Sequence, residues 1–247
     1  MNAIWRGFVL LLGLLAIWQG VVWIAGTPPY ILPGPGRVLA ALGAHSQALA
    51  EHGLITLTEI LLGLILGTIL GSAAALSIAQ WAPARRWLLP ILVISQAIPV
   101  FALAPLLVLW LGYGMASKVA MAVLIIFFPV TAAFLDGLRR TPPGWLDLAA
   151  TMGGSRWAQL RHVRLPAALP ALSSGIRVAT AVAPIGAVVG EWVGSSEGLG
   201  FLMLHAQARI QIDLMFAALF VLGVLALGLY GAVDRLLRRW VPWQPES

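Results

Sequence analysis

The chain has 247 residues, of which 60% are hydrophobic and only 10% charged, whereas soluble domains are about half apolar and a quarter charged. Its net charge of +6 is typical of membrane proteins whose basic residues collect in the loops on one side, so nucleic-acid binding is not expected. The absence of cysteine excludes disulfides, thiolate chemistry and Cys-ligated metal sites.

Six apolar segments are long enough to cross a bilayer, which takes about 20 residues in a helix. Runs of this length predict an all-α membrane protein, because helices satisfy every backbone polar group within lipid. The first run is too long for the core of a cleavable signal peptide. In chain order the six predicted transmembrane helices are residues 4–26, 54–79, 88–112, 117–138, 170–194 and 214–236.

The distribution of arginine and lysine predicts the orientation, because cytoplasmic loops carry an excess of both. With the N-terminus inside, three basic residues fall outside the membrane: Arg37, Lys118 and Arg209. Eleven fall inside: Arg6, Arg85, Arg86, Arg139, Arg140, Arg156, Arg161, Arg164, Arg235, Arg238 and Arg239. Both termini are therefore expected in the cytoplasm. Residues 139–169 then form the largest cytoplasmic loop, and residues 27–53 and 195–213 lie outside, with a short external helix possible near residues 36–50.

The second span carries Glu59 in register with a stripe of small residues. Gly63, Gly67, Gly71 and Ala75 follow it at four-residue spacing, which places all of them on one helix face. Small residues at this spacing let two helices approach closely. The stripe is therefore interpreted as a packing seam rather than the lining of a pore.

Polar residues inside two other spans are candidates for lining a pathway. The third span holds Ser95, Gln96 and Pro99 on one predicted face, where the polar groups either line a pathway or satisfy the carbonyl that the proline frees. Glu191 in the fifth span is a candidate because ionisable groups inside a membrane are costly. Its alternative is a carboxylate that reaches the outer interface beside Trp192.

The loop DLAATMGGSRWAQLRHVRLP, residues 147–166, has the pattern of two short helices joined by a glycine turn. Thr141 is predicted to cap the first helix, Gly153-Gly154 to end it and Ser155 to cap the second. Two prolines are expected to end the loop, Pro166 and Pro170. From these features alone, the hairpin is either a docking surface or an amphipathic segment that lies on lipid.

The spacing in this loop resembles the EAA motif, E-A-A-x3-G-x9-I-x-L-P, of the permease subunits of binding-protein-dependent ABC importers. Asp147 and Val163 are conservative replacements, whereas Leu148 in place of Ala is a departure that puts the close packing of the first helix in doubt. The resemblance implies coupling helices that insert into a cleft of the ATPase. The residues implied in coupling are Asp147, Ala149, Gly153, Gly154, Arg156, Val163, Leu165 and Pro166.

Other stretches are similar to the nitrate, sulfonate and taurine branch of these permeases, which includes transporters of pyrimidine precursors of thiamine. They are IPVFALAPLLVLWLGYG, GGSRW, VRLPAALPAL and GLGFL, while QIDLMFAAL is similar to the pyrimidine subgroup. The resemblance implies a type I importer permease (MetI-like) core over residues 54–240. Residues 1–53 form an additional N-terminal helix and external segment, and residues 241–247 a cytoplasmic tail.

No P-loop is present, since GTILGS lacks the lysine, so the chain is expected to bind no cofactor of its own. The four histidines, His45, His52, His162 and His205, are interpreted as solvated or interfacial. The resemblance implies a bacterial inner-membrane homodimer with two ATPase subunits, which hold ATP and Mg, and a periplasmic or lipid-anchored binding protein. A pyrimidine precursor is favoured over a sulfonate, taurine or nitrate. The alternatives are an ion-coupled transporter using Glu191 or Glu59, and a noncatalytic scaffold.

Overall fold

A computed structural model of the chain describes residues 3–243, except the side chains of residues 3, 4, 6–8 and 11. This part of the chain is all-helical, as the sequence predicts, and the predicted tail lies outside it from residue 244 onward. A π-helical turn, Leu160–Arg164, joins the short helix Arg156–Gln159 to the long helix Leu165–Gly194. The α-helices are α1 Ala3–Ala25, α2 Pro35–Ala44, α3 Ser46–Gln80, α4 Ala82–Ser95, α5 Val100–Leu111, α6 Met115–Arg139, α7 Pro143–Thr151, α8 Arg156–Gln159, α9 Leu165–Gly194, α10 Leu199–Ala208 and α11 Ile212–Trp240.

The centre of the fold is α6, which packs between α3 and α9. Gly63 and Gly67 of α3 lie so close to α6 that a Cβ at either would overlap Ala122 or Ile126. On the other side, a Cβ at Gly186 of α9 would lie 2.6 Å from the Cα of Ala122. The interpretation of the glycine stripe in α3 as a packing seam is therefore confirmed.

The six predicted spans correspond only in part to spanning helices. Among the described residues, α3, α6, α11 and the continuous helix Arg156–Gly194 are each long and apolar enough to cross a membrane. Helices α4 and α5 pass the same test only as a pair, and α1 contributes the shorter apolar stretch Leu12–Ala25. The segments that the sequence predicts to be external are also largely helical, because α2, the start of α3 and α10 fall within them.

The third predicted span is not one continuous helix, because the chain bends by 106° between α4 and α5. Pro99 has no N–H to donate and disfavours a helical conformation at Ile98, which precedes it. The last turn of α4 tightens, with the N–H groups of Gln96 and Ala97 bonded to carbonyls three residues back, Val93 and Ile94. Ser95 and Pro99 consequently do not share a helix face.

The prediction that Pro166 and Pro170 end the loop is also wrong. The second helix of the loop continues into the fifth span, and residues Arg156–Gly194 form one helix of 39 residues. Pro166 lies in the first turn of α9, immediately after the π-helical turn, where a missing N–H is tolerated. The second half of the loop and the fifth span are therefore parts of the same helix.

Candidate functional site

The segment from Thr141 to Arg164 forms the hairpin that the sequence predicts, with one correction at its start. Thr141 does not cap α7: its side chain is buried and its hydroxyl donates to the carbonyl of Leu138 at 3.3 Å. The residue that precedes α7 is Pro142, and Pro143 occupies the first turn of the helix. The hydroxyl of Thr141 thus stabilises the end of α6 instead of the start of α7.

Gly153 and Gly154 close the first helix with the hydrogen bonds of a Schellman motif. The N–H of Gly154 donates to Ala149 O at 2.8 Å, and the N–H of Gly153 donates to Ala150 O at 2.9 Å. Gly153 has φ +79°, where a side chain is strained, although a Cβ there would have no neighbour within 4 Å. A Cβ at Gly154 would lie 2.6 Å from Ala149 O.

The second helix starts as predicted, because the Ser155 hydroxyl accepts a hydrogen bond from the N–H of Ala158 at 3.2 Å. The side chain of Gln159 reaches back and donates to Gly154 O at 3.1 Å, which fixes the turn from the other side. Gln159 was not among the predicted residues. A local turn bond of this kind gives no periodic signal in the sequence.

The hairpin has an exposed apolar face. Trp145, Leu148 and Met152 are three and four residues apart in and just after α7, and their exposed fractions are 56%, 61% and 79%. Trp157 of α8 is exposed as well. Leu148 therefore does not disturb the packing of α7, which buries none of its residues. Exposed apolar clusters of this kind are typical of interaction sites.

The predicted coupling residues divide between the surface and the base of the hairpin. Asp147, Gly153 and Arg156 are exposed. The partly buried ones are Ala149, Gly154, Val163, Leu165 and Pro166. The hairpin thus presents polar and apolar groups outward, while its second half merges with the core.

Two arginines anchor the hairpin end of α9. The guanidinium of Arg164 donates to Leu138 O from Nε at 3.3 Å and from Nη2 at 3.1 Å, which ties the start of α9 to the end of α6. Arg177 donates to Asp234 of α11 at 2.7 Å. The hairpin end of α9 is therefore held to neighbouring helices by directed hydrogen bonds as well as by apolar packing.

The candidate pathway residues do not lie together. Ser95, Gln96 and Pro99 are exposed at the break between α4 and α5, where the Ser95 hydroxyl donates to Leu92 O at 2.8 Å. Glu191 lies elsewhere and is 1% exposed, so in this conformation it lines no accessible surface. The alternative, a carboxylate at the membrane interface beside Trp192, is wrong for the same reason.

Glu191 belongs to a buried polar cluster at the end of the fold opposite the hairpin. Its Oε1 accepts a hydrogen bond from the hydroxyl of Thr56 at 2.6 Å, and its Oε2 accepts one from the N–H of Gly200. Thr56 also accepts from the N–H of Leu199, at 2.8 Å, and His52 Nδ1 accepts from the N–H of Gly198, at 2.9 Å. The interpretation of His52 as solvated or interfacial is thus incomplete, because its ring binds the backbone.

An ion pair lies near this cluster. Lys118 Nζ is 2.8 Å from Glu59 Oε1, and both side chains are almost fully buried between α3 and α6. Lys118, which the charge count assigns to the outer side, points into the helix seam instead of into solvent. Breaking such a buried pair from one side is costly, because the remaining charge has no partner.

Sequence reasoning missed Thr56 and His52 as members of this cluster and Lys118 as the partner of Glu59. A signal was nevertheless present, because residues 52, 56 and 59 continue the glycine stripe of α3 at helical spacing. The bonds to the backbone of α10 bridge more than 140 positions in the chain and follow from tertiary packing alone.

Comparisons with known proteins identify relatives over nearly the whole chain. Residues 60–242 match a family model described as "Binding-protein-dependent transport system inner membrane component". The chain is 60% identical over 228 residues to a probable ABC transporter permease protein of Haemophilus influenzae, covering 92% of this chain and 93% of that protein.

Two further relatives carry names that specify a transported compound. The riboflavin transport system permease protein RibX of Chloroflexus aurantiacus is 41% identical over 239 residues, covering 94% of this chain and 88% of the relative. The formylaminopyrimidine transport permease protein ThiX of Halalkalibacterium halodurans is 36% identical over 235 residues, covering 95% and 94%.

Among solved structures, a chain of the inward-facing MetNI methionine ABC transporter has a similar fold. The TM-score is 0.65 at 21% sequence identity, covering 75% of this chain and 93% of that chain. At this identity the likeness concerns the fold alone, and it agrees with the MetI-like core that the sequence predicts.

Proposed function

Because the chain belongs to the family of binding-protein-dependent transport system inner membrane components, we propose that its α7–α8 hairpin is the surface through which an ATPase subunit drives transport. The chain is a multi-pass permease of an ABC importer. Its relatives are permease subunits, which are not catalytic, and ATP hydrolysis belongs to a separate subunit.

The exposed apolar face of the hairpin is the observation that carries this proposal. Trp145, Leu148 and Met152 expose a connected apolar strip on a short, rigid helix, and the Schellman turn at Gly153 and Gly154 fixes its direction. A strip of this kind suits insertion into an apolar cleft of a protein partner. The EAA-like residues lie in the same hairpin and, for Leu165 and Pro166, in the first turn of α9 that follows it, and we assign the coupling role to them.

Two copies of the chain form one pathway in this proposal, each copy bound to one ATPase subunit that holds ATP and Mg. The hairpin and both termini face the cytoplasm, in agreement with the excess of arginine at that side. Closure of the ATPase dimer draws the two hairpins together and turns the pathway outward, and hydrolysis resets it. Ser95, Gln96 and Pro99, exposed at the break between α4 and α5, are the proposed pathway residues.

The external binding protein docks on residues 27–53 and 195–213, which contain α2 and α10. A salt bridge at 3.2 Å between Arg37 and Asp213 joins these two segments into one surface. For the substrate we propose a heterocycle that contains a pyrimidine ring, a feature common to formylaminopyrimidines and riboflavin, the compounds named for two relatives. A sulfonate or taurine is the second candidate.

The test is transport by the chain reconstituted in proteoliposomes with its ATPase and binding protein. We expect uptake that requires ATP and is insensitive to a protonophore. Gly153→Arg should reduce uptake and binding-protein-stimulated hydrolysis by about tenfold or more, a typical coupling energy of about 1–3 kcal/mol, because the bulky side chain obstructs docking. Gly153→Ala strains the same turn without that bulk and should retain more of both activities.

An ATPase subunit that cannot hydrolyse ATP serves as the control and should abolish uptake. Survival of both activities in Gly153→Arg would contradict the coupling role of the hairpin. Uptake that collapses with a protonophore and persists without any ATPase would instead identify an ion-coupled transporter. No substrate-dependent flux under any condition would favour the scaffold.

A further inference from the structure

The N-terminus of α10 is held by side chains from two other helices. The first N–H groups of a helix have no partner within the helix and are usually capped by a neighbouring residue in the chain. At the start of α10 the N–H of the preceding Gly198 donates to His52, and those of Leu199 and Gly200 donate to Thr56 and Glu191. Three consecutive donors are thus satisfied by α3 and α9.

Glu191 is the residue that joins the three helices. Its carboxylate receives one hydrogen bond from the Thr56 hydroxyl of α3 and one from the backbone of α10, while the residue itself belongs to α9. Gly198 has φ +104°, and a Cβ there would overlap the carboxylate of Glu191. The absence of a side chain at position 198 therefore leaves room for that carboxylate. Glu191 and Thr56 are both fully buried.

The same helix carries the hairpin at its other end. Residues Arg156–Gly194 form one continuous helix, which begins within the hairpin and ends three residues after Glu191. Beyond this polar cluster, α10 packs on the fold through apolar residues such as Leu199 and Met203. Apolar contacts permit sliding, whereas hydrogen bonds to a buried carboxylate fix one geometry.

We propose that Glu191 is a positioning residue that makes α10 move as one body with the helix Arg156–Gly194. The external segment that contains α10 thereby follows the position of the hairpin. Docking of a partner at one end of the helix then shifts the element at the other end. This inference rests on the proposed function, in which the binding protein docks on the external segment and the ATPase docks on the hairpin.

The test measures ATP hydrolysis by the complete transporter in nanodiscs. The binding protein is added in its purified form, together with the ligand that it retains through purification. Glu191→Gln presents an amide in place of the carboxylate and weakens the bond to the N–H of Gly200. We expect basal hydrolysis and assembly to remain within twofold, while stimulation by the binding protein falls about tenfold or more, in line with loss of a buried charged hydrogen bond. Asp136→Asn, the same change of an exposed acid outside the hairpin and both docking segments, is the matched control and should behave as wild type.

A pair of variants at Thr56 makes the same test if Glu191→Gln does not accumulate in the membrane. Thr56→Ser retains the hydroxyl and should keep stimulation, whereas Thr56→Val has nearly the same shape without the hydroxyl and should lose it. Full stimulation in Glu191→Gln or Thr56→Val would overturn the inference, as would an equal loss of basal and stimulated hydrolysis. Absence of stimulation in the wild type would contradict the proposed function itself.

Discussion

At the scale of single residues, the hairpin turn depends on two glycines for different reasons. Gly153 is needed for its positive φ, because a Cβ in that conformation is strained even in open space. Gly154 is needed for the close approach of the backbone to Ala149 O, which leaves no volume for a side chain. The two positions should therefore respond differently to the same substitution.

We expect Gly154→Ala to open the turn more than Gly153→Ala. The strain at Gly153 costs about 1–2 kcal/mol, whereas the Cβ at Gly154 meets a carbonyl oxygen that takes part in the turn itself. The measurement is the rate of tryptic cleavage after Arg156 in detergent, which reports local opening. Gly153→Ala should raise that rate about fivefold or more, and Gly154→Ala should raise it further.

Gly144→Ala is the matched control, because Gly144 lies in α7 with open space around the position of a Cβ and without a positive φ. Alanine there should leave the cleavage rate unchanged or lower it, since alanine favours the helix. Equal rates in Gly154→Ala and Gly144→Ala would contradict the close approach at Ala149 O.

Short-range chemistry explains which of these details the sequence predicted. The glycine turn and the Ser155 cap depend on residues within five positions of one another, so their pattern is visible in the sequence. Thr141 was misassigned because its hydroxyl donates to Leu138 O, a carbonyl three residues back, instead of accepting from an N–H of α7. The same carbonyl also accepts a hydrogen bond from the guanidinium of Arg164. That bond depends on where the start of α9 lies in the fold, so no local pattern in the sequence predicts it.

At the scale of helices, the packing of α6 between α3 and α9 combines an apolar seam with one buried ion pair. The seam was predictable, because glycines at four-residue spacing indicate close approach. The size of the bend in the third span, 106°, and the continuity of residues 156–194 were not. A hydropathy profile measures apolar composition alone. It does not indicate how far Pro99 redirects the backbone or whether the helix accommodates Pro166.

The ion pair gives a prediction at this scale. Lys118→Met leaves Glu59 buried without its partner and should destabilise the protein by about 3–5 kcal/mol, whereas Glu59→Gln combined with Lys118→Met should recover most of that loss. The measurement is thermal unfolding in detergent, together with the amount of folded protein in the membrane. Arg209→Met, the loss of an exposed cation, is the control and should have little effect. Equal stability of the single and double variants would contradict the pairing.

At the scale of the whole molecule, the fold connects two ends that have different chemistry. One end carries the hairpin with its exposed apolar face, and the other carries the buried cluster around Glu191 beneath α10. The continuous helix Arg156–Gly194 joins them. Composition was sufficient to predict a membrane protein of helices, but this connection was not predictable, because it depends on the helix passing three prolines without ending.

The most direct test of the account is affinity purification of the tagged chain from native membranes in mild detergent, with its partners identified and quantified by mass spectrometry. We expect an ABC ATPase in a one-to-one ratio with the chain, and its loss when Trp145, Leu148 and Met152 are all changed to Ser. Trp240→Ser, which removes an exposed apolar side chain of α11, should retain the ATPase. A chain that purifies without an ATPase while other membrane complexes stay intact, or a triple variant that still binds it fully, would contradict the assignment of the hairpin.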